Sequence, residues 1–191
     1  MEFKYDVYTA GPLFDETEQR RCGIIENMCK DLDLKFFSPR LGTAEEGKML
    51  GKFSKLLFSQ DFSEYTKEQV LQERDKYATA ILNANIEAIN NSAIMIACID
   101  NRDPGTMFEI GYAVAHNKPV ITYSFENYGS NIMISQSTIY HANITEENTD
   151  ELGVNTVRAA NWVANSMQTL TREDILAMRK TSYRLKDMEL E

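Results

Sequence analysis

A chain of 191 residues, 43% of them hydrophobic and 26% charged, has the size and composition of one globular domain and belongs to neither the disordered nor the collagen-like class. Its formal net charge of -9 argues against a nucleic acid polymer or an acidic membrane surface as a partner, because both would require a basic face. The 3 cysteines lack a CxxC spacing and there are only 2 histidines, which disfavours a disulfide framework and a transition-metal site. With neither a secretory pattern at the amino terminus nor an apolar run long enough for a bilayer, the chain is expected to be cytoplasmic.

Strand and helix patterns alternate from the amino terminus. Tyr5–Thr9 is an alternating, β-rich segment that ends at Ala-Gly-Pro, and the amphipathic sequence after it predicts a helix from about Glu16 to Leu32. A second short strand is predicted at Leu34–Pro39, where the proline stops it. The segment from Arg40 to Tyr65 has no firm period, so it is predicted to be a loop with a short helix around Lys52–Phe58.

The same alternation continues after this loop. Thr66 and Gln69 have the spacing of a capping box, which predicts a helix that runs to about Asn91. The next predicted elements are a continuously apolar strand at Ala93–Ile99, a helix from near Thr106 to His116, and a strand at Val120–Ser124. This order predicts an α/β fold with a doubly wound parallel sheet of about five strands.

Beyond about Asn143 the sequence becomes acidic and helical. One helical pattern covers Asn155–Gln168, and a second follows a predicted cap at Thr171. We therefore predict an α/β domain at residues 1–143 and a helical C-terminal extension at residues 144–191, which packs on the same domain or at a subunit interface.

Two carboxylates, Asp103 and Glu109, lie six residues apart after the central apolar strand. Thr106 and Glu109 match a T-x-x-E capping box, so the start of a helix alone explains a glutamate at this position. A capping box does not explain why Asp103 is present or why the neighbours of Glu109 are apolar. A carboxylate in the first turn is held ionised by the helix dipole, which suits a nucleophile, whereas a second carboxylate nearby has a raised pKa and can carry a proton. Such a pair can cleave a glycosidic bond through a covalent intermediate.

Two loops are expected at the carboxyl ends of the strands, where open α/β sheets bind their ligands. They are Thr9–Glu16 and Asp100–Thr106. Neither is a glycine-rich phosphate cradle, and Pro12 lacks the backbone N–H that a phosphate nest would use. No flavin, dinucleotide or other cofactor is therefore predicted.

Three segments of the sequence resemble one enzyme family. Asp103–Ala113 (DPGTMFEIGYA) resembles the D-x-G-[TSL]-x-x-E-x-G segment of the nucleoside 2-deoxyribosyltransferase family, Val7–Phe14 is similar to its first strand and loop, and Asn131–Met133 is similar to its N-[LI]-M segment. The resemblance covers about Tyr5 to Ser135. It implies a flavodoxin-like domain, a role in nucleoside salvage, and 2′-deoxynucleosides and free nucleobases as partners. It also implies a homo-oligomer whose active sites are shared between subunits.

The resemblance implies three catalytic residues. Glu109 would attack C1′ of a 2′-deoxynucleoside and hold the deoxyribosyl group as an ester. Asp103 would protonate the departing base or anchor the substrate, and Tyr8 would orient Glu109. A second base would then attack the ester, which exchanges the bases with retention of configuration.

Five further residues are assigned to substrate binding by the same resemblance. Phe14 would pack on the base, Gly105 and Met133 would contact the substrate, and Asn131 of a neighbouring subunit would bind the 5′-hydroxyl. Asn85 stands where many members carry an aspartate near the base. Because an amide cannot deliver a proton, the base preference and the group that protonates the base stay open.

Some of these residues also have a purely structural explanation. Tyr8 could be a core aromatic residue, Phe14 could be a hydrophobic staple for the first helix, and Asn131 and Met133 could be ordinary loop and core residues.

Two rival functions stay open at the level of sequence. A 2′-deoxynucleoside 5′-monophosphate N-hydrolase of the same superfamily would need a phosphate pocket. The acidic first loop has no arginine before Arg20, and Asn131 replaces the serine expected there, although Arg20, Arg21 or Ser130 could still reach a phosphate. The other rival is a non-catalytic nucleoside-binding module.

Overall fold

A parallel sheet forms the centre of the molecule. The computed structural model describes residues 3–42, 66–126, 131–145 and 148–166, together with residues 173 and 177. Within these residues the strands are β1 (Tyr5–Ala10), β2 (Phe36–Phe37), β3 (Ser92–Cys98), β4 (Val120–Ser124) and β5 (Tyr140–Asn143). Their order is β2-β1-β3-β4-β5 and each neighbouring pair is parallel. This is the flavodoxin-like doubly wound arrangement, which confirms the predicted fold class.

Helices cover the two faces of this sheet. The helices are α1 (Glu16–Asp31), α2 (Lys67–Asn90), α3 (Pro104–Ala115), α4 (Ile132–Ser137) and α5 (Thr149–Ser166). A short 3₁₀ turn, Asp100–Arg102, joins β3 to α3. In the described part of the chain, none of the helices is both long and apolar enough to cross a membrane.

The sheet divides the core into two layers, because successive side chains of a strand point to opposite faces. Val7 of β1 is buried on the face that is covered by α1 and α5, together with Ile25 and Val157. Tyr8, the next residue, is buried on the other face with Ile110 of α3. The parallel register of β1 and β3 therefore aims Tyr8 at the helix that follows β3.

The predicted strand at Ala93–Ile99 and the predicted helix after Thr66 are confirmed by the structure. All seven residues of β3 are buried between β1 and β4, which accounts for its continuous apolar run. Thr66 caps α2, and the side chain of Gln69 accepts the Thr66 backbone N–H in return, as in a capping box.

Several boundaries differ from the prediction. The strand expected at Leu34–Pro39 is limited to β2, and α4 and β5 were not placed individually from the sequence. The helix expected from Asn155 begins at Thr149, and its residues Val157 and Ala160 are fully buried against the sheet and α1. The division at residues 143 and 144 stays a prediction. The helices predicted around Lys52–Phe58 and after Thr171 lie outside the described residues.

Candidate active site

Tyr8 and Glu109 meet at the carboxyl end of the central strands. Tyr8 is fully buried on β1 and its ring stacks on Phe37 at a centroid distance of 5.7 Å. Its hydroxyl donates a hydrogen bond to Glu109 Oε1 at 2.7 Å. The alternative of Tyr8 as a core aromatic residue is therefore incomplete, because the ring is part of the core and the hydroxyl is directed at a carboxylate.

Asn85 of α2 donates to the same carboxylate oxygen. Its Nδ2 lies 3.2 Å from Glu109 Oε1, so this oxygen accepts two hydrogen bonds from two different elements of the fold. Within the described residues, no donor reaches the second oxygen, Oε2. The sequence analysis assigned Asn85 to the substrate and did not anticipate this contact.

Asp103 caps α3, the helix that carries Glu109. Its Oδ2 accepts the backbone N–H and the hydroxyl of Thr106, both at 2.7 Å, and Pro104 is the first residue of the helix. The predicted T-x-x-E capping box is therefore wrong, since α3 begins two residues before Thr106. The Asp-Pro dipeptide was the signal for this cap, because proline is favoured at the first helical position and lacks the N–H that would need a partner there.

The position of Glu109 also overturns the electrostatic expectation. Glu109 is the sixth residue of α3 and lies beyond its first turn, so the helix dipole does not act on it as predicted. Burial raises the pKa of Glu109 from its usual 4.5 to about 7. The charge of Asp103 raises this pKa as well, whereas the hydrogen bonds from Tyr8 and Asn85 lower it. The sequence predicted that the helix dipole keeps Glu109 ionised. In the structure, burial favours the protonated form of Glu109 instead.

A cleft of about 470 Å³ opens in front of Glu109. Its floor and walls come from the loops after β1, β2 and β3 and from one face of α2. The lining residues are Gly11, Leu13, Phe14, Phe37, Pro39, Gly42, Ile81, Ala84, Asn85, Asp103, Pro104, Gly105, Thr106 and Glu109. Most of these residues are apolar and the polar ones are Asn85, Asp103, Thr106 and Glu109, a composition typical of a pocket for a small molecule.

The sequence of the chain matches one family model. That model describes nucleoside 2-deoxyribosyltransferase, and the match covers residues 7–141. The chain belongs to the nucleoside 2-deoxyribosyltransferase family. The resemblance stated from the sequence is therefore confirmed, and the family consists of enzymes that act on N-glycosidic bonds.

Solved structures give further similarities to this family member. It is similar to a 2-deoxyribosyltransferase from Bacillus psychrosaccharolyticus, with 26% identity and a TM-score of 0.47 over 71% of this chain and 83% of that chain. A CMP N-glycosidase from Clostridium botulinum has 15% identity and a TM-score of 0.46, over 78% of this chain and 96% of that chain. A conserved protein from Enterococcus faecalis V583 has 18% identity and a TM-score of 0.41, over 92% and 96% of the two chains. No curated protein matches the chain.

Three of the predicted binding residues of this deoxyribosyltransferase-family chain line the cleft, namely Asn85, described above, Phe14 and Gly105. Phe14 is 82% exposed at its mouth, so its alternative as a hydrophobic staple is wrong. Gly105 lies behind Asp103, and a Cβ at this position would be 3.1 Å from Asp103 Oδ2. Glycine at position 105 thus leaves room for the carboxylate that caps α3.

Asn131 and Met133 do not line the cleft of the described chain. Asn131 caps α4 and its Oδ1 accepts the backbone N–H of Met133 at 2.8 Å. The side chain of Met133 is 72% exposed, so it is not the core residue of the structural alternative. Their assignment to the site of a neighbouring subunit stays a prediction.

The two arginines considered for phosphate binding lie elsewhere in this family member. Arg20 and Arg21 line a separate cavity of about 310 Å³ beside Phe125. The guanidinium of Arg21 is paired with the fully buried Asp100 at 3.0 Å and with Glu126 at 2.8 Å. Ser130 lies outside the described residues.

A pair of polar residues missed by the sequence analysis joins the two loops of the site. Asn101 donates from Nδ2 to Glu18 Oε1 at 2.6 Å, and Glu18 Oε2 accepts the backbone N–H of Phe14 at 2.6 Å. Asn101 and Arg102 both adopt left-handed backbone conformations, with φ of 56° and 51°, just before Asp103. The contact with Glu18 therefore holds a strained turn directly before the cap of α3. The D-x-x-E pattern at Asp15 and Glu18 predicts the cap of α1 but not the contact between Glu18 and Asn101.

Proposed function

We propose that the protein is a nucleoside 2-deoxyribosyltransferase, which exchanges the base of 2′-deoxynucleosides through a covalent ester with Glu109. The observation that carries the proposal is the pair of hydrogen bonds from Tyr8 and Asn85 to one oxygen of Glu109. They fix the carboxylate at the end of the cleft and leave Oε2 as the oxygen for attack on the sugar. A carboxylate that is oriented by fixed donors in an apolar cleft is suited to nucleophilic catalysis.

In the first step, Glu109 Oε2 attacks C1′ and the bond from C1′ to the base nitrogen breaks. The electron pair of that bond goes to the base, which needs a proton as it leaves. Asp103 is placed to supply this proton or to anchor the substrate, because only its Oδ2 is used by the helix cap within the described residues. The product is a deoxyribosyl ester of Glu109 and a free base.

In the second step, a nitrogen of another base attacks C1′ from the face that the first base left, and the proton on that nitrogen passes to the group that protonated the first base. The C1′–O bond to Glu109 breaks, and the carboxylate recovers its hydrogen bonds from Tyr8 and Asn85. Two inversions give net retention of configuration. Phe14, exposed at the mouth of the cleft, is proposed to pack on the base in both steps.

The proposed substrate is a nucleoside without a 5′-phosphate. In the described part of the cleft lining no side chain is cationic, and Arg20 and Arg21 line a different cavity. A phosphate would lack the charged partner that usually binds it. These placements favour exchange of nucleosides over hydrolysis of nucleoside monophosphates. A role in cytoplasmic nucleoside salvage is part of this proposal.

Asn131 and Met133 are proposed to complete the cleft of a second subunit. Asn131 caps α4 and Met133 lies in its first turn, where Ile132 is 71% and Met133 72% exposed. The 5′-hydroxyl of the nucleoside would bind to Asn131 of that neighbour, which makes an oligomer necessary for full activity.

Incubation of the protein with a 2′-deoxynucleoside and a different free base tests the proposed reaction. We expect the exchanged nucleoside, with the β configuration retained, and its absence when Glu109→Gln replaces the wild type. Free deoxyribose as the sole product would indicate hydrolysis of the nucleoside. Turnover of a 5′-monophosphate to deoxyribose phosphate, with none of the nucleoside, would support the hydrolase, and no product from any substrate would support a binding module.

A further inference from the structure

We propose that Asn85 is a positioning residue of the nucleophile, whose side-chain amide holds Glu109 together with Tyr8 and keeps the attacking oxygen aimed into the cleft. The role of Asn85 in catalysis rests on the proposed function. The hydrogen bond from Asn85 to Glu109 is present in the protein without substrate.

The contact joins two helices across the cleft. Asn85 lies in the last third of α2, one turn before the buried residues Ala88 and Ile89, which pack α2 on the sheet. Its Nδ2 lies 3.2 Å from Glu109 Oε1, and the hydroxyl of Tyr8, on β1, lies 2.7 Å from the same oxygen. Two donors from different elements define the orientation of a carboxylate better than one. Together they restrict the rotation of the carboxylate group about the Cγ–Cδ bond of the glutamate.

The amide suits this arrangement because it donates a hydrogen bond to Glu109 without adding a charge. Within the described residues, the ionisable groups that act on Glu109 are Tyr8 from β1 and Asp103 from the loop before α3. An ionised aspartate at position 85 would add another negative charge within reach of Glu109 and would accept, not donate, a hydrogen bond. Asparagine therefore stabilises the carboxylate form of Glu109, in a cleft where burial opposes that form.

Asn85→Asp and Asn85→Ala test this role, with Asn90→Ala as the matched control. Asn90 is also an asparagine of α2 that bonds a residue of α3, since its Nδ2 donates to the hydroxyl of Tyr112 at 3.0 Å, but it does not contact Glu109. The first measurement is a carbon NMR titration of protein labelled at its glutamate carboxyl groups, without substrate. The signal of Glu109 is the one that disappears in Glu109→Gln.

We expect the titration midpoint of Glu109 to rise by about one pH unit in Asn85→Ala, and by more in Asn85→Asp, where the added charge acts as well. Asn90→Ala should leave the midpoint at its wild-type value. An unchanged midpoint in both Asn85 variants would overturn the proposal, whatever the activity of the protein. If one variant does not fold, the other still decides the outcome.

The second measurement is the pH dependence of kcat/KM for exchange. The acidic limb should move upward by the same amount as the titration midpoint, because the fraction of ionised Glu109 then limits the rate. A residue that only contacts the base would change KM and the relative rates of different bases and leave the limb in place, and that result would overturn the positioning role. Absence of exchange in the wild type would contradict the proposed function, whereas the NMR result would still stand.

Discussion

Asp103 Oδ2 accepts both the backbone N–H and the hydroxyl of Thr106 at 2.7 Å, and this double contact begins the helix that carries Glu109. Because α3 begins at Pro104, Glu109 lies in its second turn, facing Tyr8 of β1. The carboxylate of Asp103 therefore caps the helix, whereas that of Glu109 contacts Tyr8 and Asn85 and takes no part in the cap. The capping role that the sequence assigned to Thr106 and Glu109 thus belongs to Asp103, and the role of Glu109 as nucleophile is a separate proposal.

This division can be tested by comparing Asp103→Asn with Asp103→Ala. Asparagine is as good a cap as aspartate, so Asp103→Asn should keep the wild-type free energy of unfolding within a few tenths of a kcal/mol, whereas Asp103→Ala should lose about 1 kcal/mol. If Asp103 supplies the proton, both variants should lose about 10²-fold or more in kcat. Denaturant unfolding and steady-state exchange assays measure the two effects separately. Wild-type kcat in Asp103→Asn would restrict Asp103 to anchoring and capping.

Glu109→Gln should abolish base exchange, with a loss of about 10⁴-fold or more, because an amide oxygen cannot form the ester and return to a carboxylate. The fold should persist, since the amide oxygen can still accept the hydrogen bonds of Tyr8 and Asn85. Mass spectrometry of the wild type mixed with deoxynucleoside should show an added deoxyribosyl group, which the variant lacks. Near-wild-type rates in the variant would show that Glu109 is not the nucleophile.

The same variant should be more stable than the wild type at high pH. The pKa of Glu109 is about 7 in the folded protein and 4.5 as its usual value, so the unfolded chain loses this proton first and the wild type loses stability as the pH rises from 4.5 to 7. Since Glu109 is partly exposed, we expect Glu109→Gln to gain about 1 to 2 kcal/mol at pH 8 and nothing at pH 4.5. Denaturant unfolding at the two pH values measures this gain. If the free energies of unfolding of the wild type and Glu109→Gln differ by the same amount at both pH values, the pKa of Glu109 is not raised.

Tyr8→Phe should lower kcat/KM by about 10-fold to 100-fold, the usual value of a hydrogen bond to a charged group. The phenyl ring can keep the stacking on Phe37, so the stability should change by less than the activity. Loss of the donor should also raise the pKa of Glu109, so the acidic limb of the pH profile should move upward. Phe37→Leu is a suitable comparison, because it perturbs the packing of Tyr8 without removing the hydroxyl. An unchanged pH profile in Tyr8→Phe would show that the Tyr8 hydroxyl does not influence the ionisation of Glu109 during catalysis.

The layers of the fold could be predicted because they depend on local patterns. The strand β4 has the predicted bounds, since a short apolar run between a Lys-Pro turn and polar residues has few alternatives. The start of α3 was ambiguous, because Asp103 and Thr106 both suit a cap, and proline at the first helical position decides in favour of Asp103. The short β5 has no turn or capping residues that mark its ends, so it was not predicted from the sequence.

The contacts of the site depended on tertiary packing and could be predicted only in part. The pairing of Tyr8 with Glu109 followed from the family resemblance, and the structure places the two groups in hydrogen-bond contact. The contact from Asn85 to Glu109 could not be read from the sequence, because it requires the angle at which α2 packs beside α3. The left-handed turn at Asn101 was equally hidden, since its support comes from Glu18 on another helix.

The proposed shared site can be tested by mixing two variants, Glu109→Gln, which should be inactive, and Asn131→Ala, assayed at a nucleoside concentration at which it has little activity. Asn131→Ala should weaken nucleoside binding and raise KM, although Asn131 does not line the cleft of its own described chain. If Asn131 of one subunit serves Glu109 of another, a subunit with Glu109→Gln should supply the intact Asn131 to a subunit with Asn131→Ala. Unfolding and refolding the two variants together should then restore activity, to about a quarter of the wild type for a randomly paired dimer.

The matching control is the same mixture without refolding, in which the subunits do not exchange and activity should stay at the level of the separate variants. Size-exclusion chromatography of the wild type should place the active fraction at the mass of an oligomer. If Asn131 acted within its own chain, refolding the mixture would restore nothing, because neither chain carries both residues. A fully active monomer would likewise contradict the shared site, and Asn131 would then be only the cap of α4.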